Sequence, residues 1–599
     1  MTPGKSEPFP PRPSYRRKRL VVILHAWNQS LDRLRGLCEF ISTELPDWDI
    51  DLPPLRLGLT SREDLFDLSH RLACLIDEHW RQRTKHSSDG RGYDEIFLIG
   101  HSVGATLART IYLVALGADL QGSTSSTRQS MPWSQKLSRI IQFAAFNRGW
   151  EVSYLSQRFR AVGFGLARAV AKIFQPVLGA HVALQLYRGS CFINQMRLHW
   201  LERERNSPQW PVVIQLLGSR DDLVAPEDAI DLTTAKNFVY LDVPFSDHYT
   251  VVDLGTGPNA TPREKKAADN RRDVVRRALT ESLGSLRKQS ELKEAPEPDE
   301  SIEQVVFVIH GIRDPGYWAQ HIARTVLDEA ERIDKRTVTE VLHPSYGYFG
   351  MWPFLRMKSR LSKVTWFMEH YLLAKARFPK ACISYIGHSN GTYLPTSALE
   401  RYPACTFRHL AFAGSVVRSR FPWSSYIGEA KETSSCEPEK TLRRVEKVCN
   451  YVATEDLIVA GFPNLFEMVG LSDLGGAGHR GFAEEFPDRV INFRFAPGGH
   501  SAALMEEFWG SLGQFIMTGV LPKEVEAYRA GRQSRAARLF GSFPILAWLL
   551  AVTGAFILAL LFIGVGSLLG WALPEWRDYF VGGSVMGFVW VLSAILRRL

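Results

Sequence analysis

The chain has no Cys-x-x-Cys pair, no Lys/Arg tract of the nucleic-acid-binding kind and no glycine-rich loop followed by Lys-Ser/Thr. Its seven cysteines (Cys38, Cys74, Cys191, Cys382, Cys405, Cys436, Cys449) are scattered and odd in number. That pattern argues against a zinc site or a disulfide framework and fits a reducing compartment. A formal net charge of +9 is mild for 599 residues, so nucleic acid is not an expected partner. Without a phosphate-cradling loop or a metal-ligand cluster, no cofactor and no metal are expected. The apolar stretch Leu20–Leu24, which follows the basic residues Arg16–Arg19, is too short for the core of a secretory signal and reads as a first buried strand. What remains is a composition ordinary for globular proteins, 45% hydrophobic and 23% charged, in a chain too long for a single core.

Against those absences stands one motif present twice. Gly100-His101-Ser102-Val103-Gly104 follows the strand-like run Glu95–Ile99, and Gly387-His388-Ser389-Asn390-Gly391 follows Ala381–Ile386. Gly-x-Ser-x-Gly between a strand and an apolar helix is a nucleophile elbow. Its glycines permit a turn tight enough to lift one strained serine out of the sheet onto a helix N-terminus. Two copies in two matching contexts predict two serine-nucleophile domains in tandem.

The rest of the chain divides accordingly. Residues 1–18 read as a flexible arm and 19–286 as domain one, with a helical cap inserted at about 149–208. A polar, proline-bearing linker spans 287–301, and domain two spans 302–519. In both domains short apolar runs alternate with longer helical patterns, which predicts an α/β fold: a doubly wound, mostly parallel sheet with helices on both faces.

A serine hydroxyl needs a base to take its proton, and the base needs an acid to orient it. In domain one the run Val212–Leu217 ends in Gly218-Ser219-Arg220-Asp221-Asp222, so Asp221 is the acid candidate and Asp222 the alternative. His248, in the loop after the last strand Phe238–Leu241, is the base candidate. The oxyanion hole calls for two backbone N–H donors. One is expected from Val103, the other from Ala26 or Trp27 in the turn after the first strand. In domain two the run Val448–Ala453 leads to Asp456, with Glu455 as the weaker acid candidate. His500 follows the last strand Val490–Phe495 and is the base candidate, while His479 precedes that strand and reads as a loop residue. Oxyanion donors are expected from Asn390 and from Gly311 or Ile312. Ser102 and Asp221 stand much further apart than Ser389 and Asp456, as a cap present only in domain one requires, so the two sites should differ in substrate.

The C-terminus is different in kind. A basic juxtamembrane segment, 520–542, carries Arg529, Arg532, Arg535 and Arg538. It precedes an apolar stretch at 543–573, a short turn containing Glu575 and Asp578, and a second apolar stretch at 579–596 followed by Arg597 and Arg598. This reads as a two-helix transmembrane hairpin. Because both flanks are basic, both large domains are expected to face the cytoplasm. The arginine stripe is suited to anionic head groups.

These elbows, with Asp221, His248 and their counterparts, resemble the α/β-hydrolase superfamily, and the first domain resembles its lipase and esterase branches. The resemblance implies a doubly wound sheet, Ser-Asp-His order and a two-step acyl-enzyme mechanism. The leading expectation is a membrane-anchored serine hydrolase acting on lipid or acylated esters. The alternatives are a membrane-tethered binding module in which one or both domains are silent, domain one being the more suspect because Ala26 replaces glycine, and an acyltransferase or thioesterase.

Overall fold

The computed structural model describes residues 9–598 except 59–60, 125–127, 151–181, 208, 222–223, 225–228, 230, 232–236, 256–260, 291–297, 313, 315–316, 335–336, 348, 428–442, 471–472, 485, 487 and 524–531. It divides into two compact units: 1–298 with 371–379 and 402–404, and the remainder. Most of the expected cap and Arg529 lie outside the described residues.

Unit one is built on six parallel strands: β1 (Arg19–Leu24), β2 (Trp48–Asp51), β3 (Glu95–His101), β4 (Leu137–Phe143), β5 (Val212–Gly218) and β6 (Phe238–Val243), in the order β2-β1-β3-β4-β5-β6. Unit two repeats this with β7 (Gln304–Ile309), β8 (Thr339–Leu342), β9 (Cys382–His388), β10 (Phe407–Ala413), β11 (Val445–Ala453) and β12 (Val490–Ala496), in the order β8-β7-β9-β10-β11-β12. The near-continuous burial of β1, β3, β7 and β9 explains why they read as uninterrupted apolar runs. In each sheet the chain leaves its first strand in one direction and later returns to the other side of it. The crevice at the carboxyl ends of β1 and β3, or of β7 and β9, is therefore the topological switch point, where doubly wound sheets place their sites.

In unit one, helix α1 (Leu65–His86) is capped by Asp64, whose carboxylate accepts from Phe66 N and Asp67 N, and packs on α2 (Val103–Ala115), the helix that follows the elbow. α2 is nearly all buried, so its polar residues need partners. Arg109 on α2 and Arg197 on α3 (Cys191–Asn206) share the carboxylate of Asp231, at 2.6 and 2.9 Å. All three are buried. Asp231→Ala removes the charge both guanidiniums face. It is expected to cost about 3–5 kcal/mol, read as a drop in denaturant resistance of unit one.

Helix α4 (Pro262–Thr280) starts at a Thr261–Glu264 capping box, and the helix Leu283–Gln289 after it buries Leu286, while Ser290 Oγ accepts from Tyr240 N. Residues 287–290, expected in the linker, thus belong to unit one.

The arm also departs from expectation. Asp49 and Asp51 on β2 are buried carboxylates, and the segment from Phe9 onward satisfies them. Ser14 N and Oγ donate to Asp49 Oδ1, Tyr15 N donates to Asp49 Oδ2, and Arg12 pairs with Asp51. Residues 9–18 are strapped across the sheet edge rather than free.

Unit two carries α5 (Tyr317–Ile333), α6 (Asn390–Arg401) after the second elbow, α7 (Leu457–Met468) and α8 (Glu506–Thr518), which ends in a left-handed cap at Gly519. Beyond these come α9 (Arg535–Ser542), α10 (Pro544–Ala572) and α11 (Arg577–Arg598). Among the described residues one helix is long and apolar enough to cross a membrane, Val552–Ala572 within α10, with mean hydropathy 2.4. The second expected span, 579–596, forms α11, which packs on α10 but does not meet that standard. The expected two-span hairpin is thereby reduced to one candidate span and a partner helix.

Candidate active site

Both elbow serines adopt a backbone that side-chain-bearing residues rarely tolerate: φ is +56° at Ser102 and +51° at Ser389. The strain is held by close packing of the flanking glycines. A Cβ on Gly104 would lie 2.4 Å from the Leu24 carbonyl oxygen, and one on Gly391 2.5 Å from that of Ile309. A Cβ on Gly100 would lie 2.4 Å from Ala105 N. The glycines let the end of β1 or β7 press against the start of the nucleophile helix, which brings the first-strand turn beside the serine.

In unit one the three sequence-selected residues meet. His248 Nε2 lies 3.1 Å from Ser102 Oγ, and His248 Nδ1 lies 3.1 Å from Asp221 Oδ2. All three side chains are buried. Asp221 also accepts from Val224 N, which orients the carboxylate. Asp222, the alternative acid, lies outside the described residues.

Unit two brings Asp456 and His500 together, with His500 Nδ1 at 3.1 and 3.0 Å from the two carboxylate oxygens. Among the described residues no hydrogen bond joins His500 to Ser389. Burial pulls the His500 pKa down, but the charge and hydrogen bond of Asp456 outweigh it and leave the imidazole above its ordinary value. Burial likewise opposes ionisation of Asp456. His500 and the Val459 N–H overcome that, and the carboxyl lies below its ordinary value. Glu455 is exposed and takes no part in this pair. His479 is buried against the segment 532–542, with Gln533 Nε2 donating to its carbonyl.

The oxyanion turn differs between the units. Ala26 N donates to Gln29 Oε1 at 2.9 Å, so this expected donor is already engaged. In unit two a Cβ on Gly311 would stand 2.6 Å from Ser389 Cβ. Gly311→Ala, made with Ser102→Ala so that only unit two reports, is expected to displace the turn from Ser389 and slow its labelling by a fluorophosphonate by about 10²-fold or more. Tyr346 fastens this turn: its hydroxyl donates to the His310 carbonyl at 2.7 Å and accepts from Asn390 Nδ2 at 3.3 Å.

Sequence reasoning passed over the elbow histidines and their partners. His101 Nε2 donates to the His248 carbonyl at 2.8 Å, and Gln29 Oε1 lies 3.2 Å from His101 Nδ1. His101 thus clamps the loop that carries the base. Burial and the nearby His248 push its pKa down to about 3, so it stays neutral. In unit two His388 Nε2 faces Ser501 Oγ, next to His500, at 3.4 Å, and Asp314 takes the place of Gln29, 3.6 Å from His388 Nδ1. The signal was present: both elbows read Gly-His-Ser, and Gln29 and Asp314 stand at the same offset from His25 and His310.

No protein-family model matches the chain, and no curated protein matches it. Among solved structures it is similar to phospholipase PlaB from Legionella pneumophila in complex with thio-NAD, at 14% identity and TM-score 0.31, covering 46% of this chain and 61% of that one. It is similar to a soluble variant of monoglyceride lipase from Saccharomyces cerevisiae, at 11% identity and TM-score 0.28, covering 46% and 88%. A third is from a study of carboxylesterases of Nitrososphaera gargenis, at 15% identity and TM-score 0.26, covering 41% and 88%. At these values the likenesses assign no activity to this chain.

Proposed function

We propose that the chain is a membrane-anchored serine hydrolase with two α/β-hydrolase domains, cleaving carboxylic esters of lipid or acylated molecules at the cytoplasmic face. The observation that carries this is the hydrogen-bonded chain Ser102–His248–Asp221, built on a strained elbow at the switch point of a parallel sheet. His248 takes the Ser102 proton as Oγ attacks the ester carbonyl. Asp221 holds the imidazole tautomer and balances the imidazolium. The carbonyl oxygen gains negative charge and is received by the backbone N–H groups of Val103 and Trp27. His248 returns the proton to the departing alkoxide. Water, activated by the same histidine, then releases the acid and restores Ser102. Unit two uses Ser389, His500 and Asp456, with Asn390 and Gly311 or Ile312 as donors. The anchor is α10 with α11 beside it, and the arginines on its near side favour the cytoplasmic orientation.

The test is ester hydrolysis by the detergent-solubilised full chain, compared with Ser102→Ala, Ser389→Ala and the double variant. Full activity in the double variant rejects the reading. That no hydrogen bond joins Ser389 to His500 among the described residues supports a second reading, in which unit two is a silent binding module. On that reading Ser102→Ala alone abolishes all turnover.

A further inference from the structure

Helix α7 begins at the acid of the second site. Asp456 is its N-cap, accepting from Val459 N at 2.9 Å while also holding His500. The helix exposes large apolar side chains: Leu457 (45%), Ile458 (48%), Met468 (52%) and, just past its end, Val469 (52%). Eleven residues make about three helical turns, so the two exposed pairs lie on the same side of the helix at its two ends, with buried Gly461 and Asn464 between them. Large exposed apolar side chains beside a candidate site mark an interaction surface.

What covers it follows from what α7 packs on. Its neighbours are α9 and α10, the helix holding the candidate span. The junction is tightly made. The Gly541 carbonyl accepts from Asn464 Nδ2 on α7 at 2.9 Å and from an Arg480 guanidinium nitrogen at 2.8 Å. A Cβ on Gly541 would stand 1.9 Å from His479 Nε2. Ser534 N donates to the Thr454 carbonyl, two residues before the catalytic-acid candidate. Unit two is therefore latched to its anchor next to Asp456, with no loose tether between α9 and α7. Around the entry of α10, Arg532, Arg535 and Arg538 are exposed, as are Leu539 and Phe543. Basic side chains beside exposed apolar ones suit the boundary between anionic head groups and acyl chains.

We infer that α7 is a membrane-docking element: Leu457, Ile458, Met468 and Val469 enter the interface of an anionic bilayer beside α10. Resting on the proposed function of unit two, this makes the substrate of Ser389 a bilayer-resident lipid ester taken directly from the leaflet.

The experiment places the full chain in nanodiscs of phosphatidylcholine and phosphatidylglycerol containing a diazirine-bearing phosphatidylcholine, and maps photo-adducts by peptide mass. Adducts are expected in the 457–469 segment as well as in α10, and not in α5. With Leu457, Ile458, Met468 and Val469 all changed to Ser, the 457–469 adducts should be lost while those in α10 remain. Adducts confined to α10 and α11 in the unaltered chain overturn the inference and leave these side chains to a protein partner. A second arm uses the Ser102→Ala chain, with and without the four serines, on a vesicle-borne lipid ester and on dissolved p-nitrophenyl butyrate. Loss of about tenfold or more on vesicles, with less than twofold on the dissolved ester, is expected. Equal losses on both overturn the substrate assignment. Adducts at α7 with no hydrolysis of either ester support docking and reject the hydrolase reading of unit two, so the two failures are distinguishable.

Discussion

Ser102→Ala, introduced into a chain already carrying Ser389→Ala, is expected to lower ester hydrolysis by about 10⁶-fold, the scale of loss when a triad nucleophile is removed. Ser102 Oγ lies 3.1 Å from His248 Nε2 at a strained elbow, and among the described residues no other hydroxyl is hydrogen-bonded to that nitrogen. Any rate left over reflects the oxyanion donors and substrate binding alone. Alanine removes one buried oxygen and relieves nothing else, so both variants should retain the thermal transition of the wild type. Turnover within tenfold of the Ser389→Ala parent would exclude Ser102 as the nucleophile.

Asp456→Asn, tested with Ser102→Ala, is expected to reduce unit-two turnover by about 10⁴-fold, because the amide presents its N–H to His500 Nδ1 and favours the wrong tautomer. The pH profile carries the second half of this prediction. His500 must be neutral to accept the serine proton. With Asp456 present its pKa lies above the ordinary 6.5, so the acid limb of kcat/KM should lie above pH 6.5. Without the carboxylate, burial acts unopposed and disfavours the cation, and the limb should move below 6.5. An acid limb that stays in place would show that Asp456 does not set the charge state of the base.

Much of this was readable in advance because it is local or follows chain order. The strands are buried on both sides, so β1, β3, β7 and β9 announce themselves as apolar runs, and a parallel sheet fixes which loop each functional residue occupies. Asp221, His248, Asp456 and His500 could be chosen from position alone. What was not readable depends on partners distant in sequence. The arm looked free because nothing in Arg12–Tyr15 shows that two carboxylates on β2 need their donors. Ala26 looked like an oxyanion donor because the side chain that takes its N–H, Gln29, has no fixed direction in a sequence. The apolar run of α7 resembles a core helix, and only the structure shows that its two ends are exposed beside α10.

The most direct measurement is covalent labelling of the detergent-solubilised full chain with a fluorophosphonate, followed by mass mapping of the modified peptides. Phosphonylation of Ser102, and of Ser389 in the same preparation, is the predicted result, each adduct being lost in its own Ser→Ala variant. A chain that takes up no label at either serine would contradict the account and leave two hydrolase-like folds serving as binding modules.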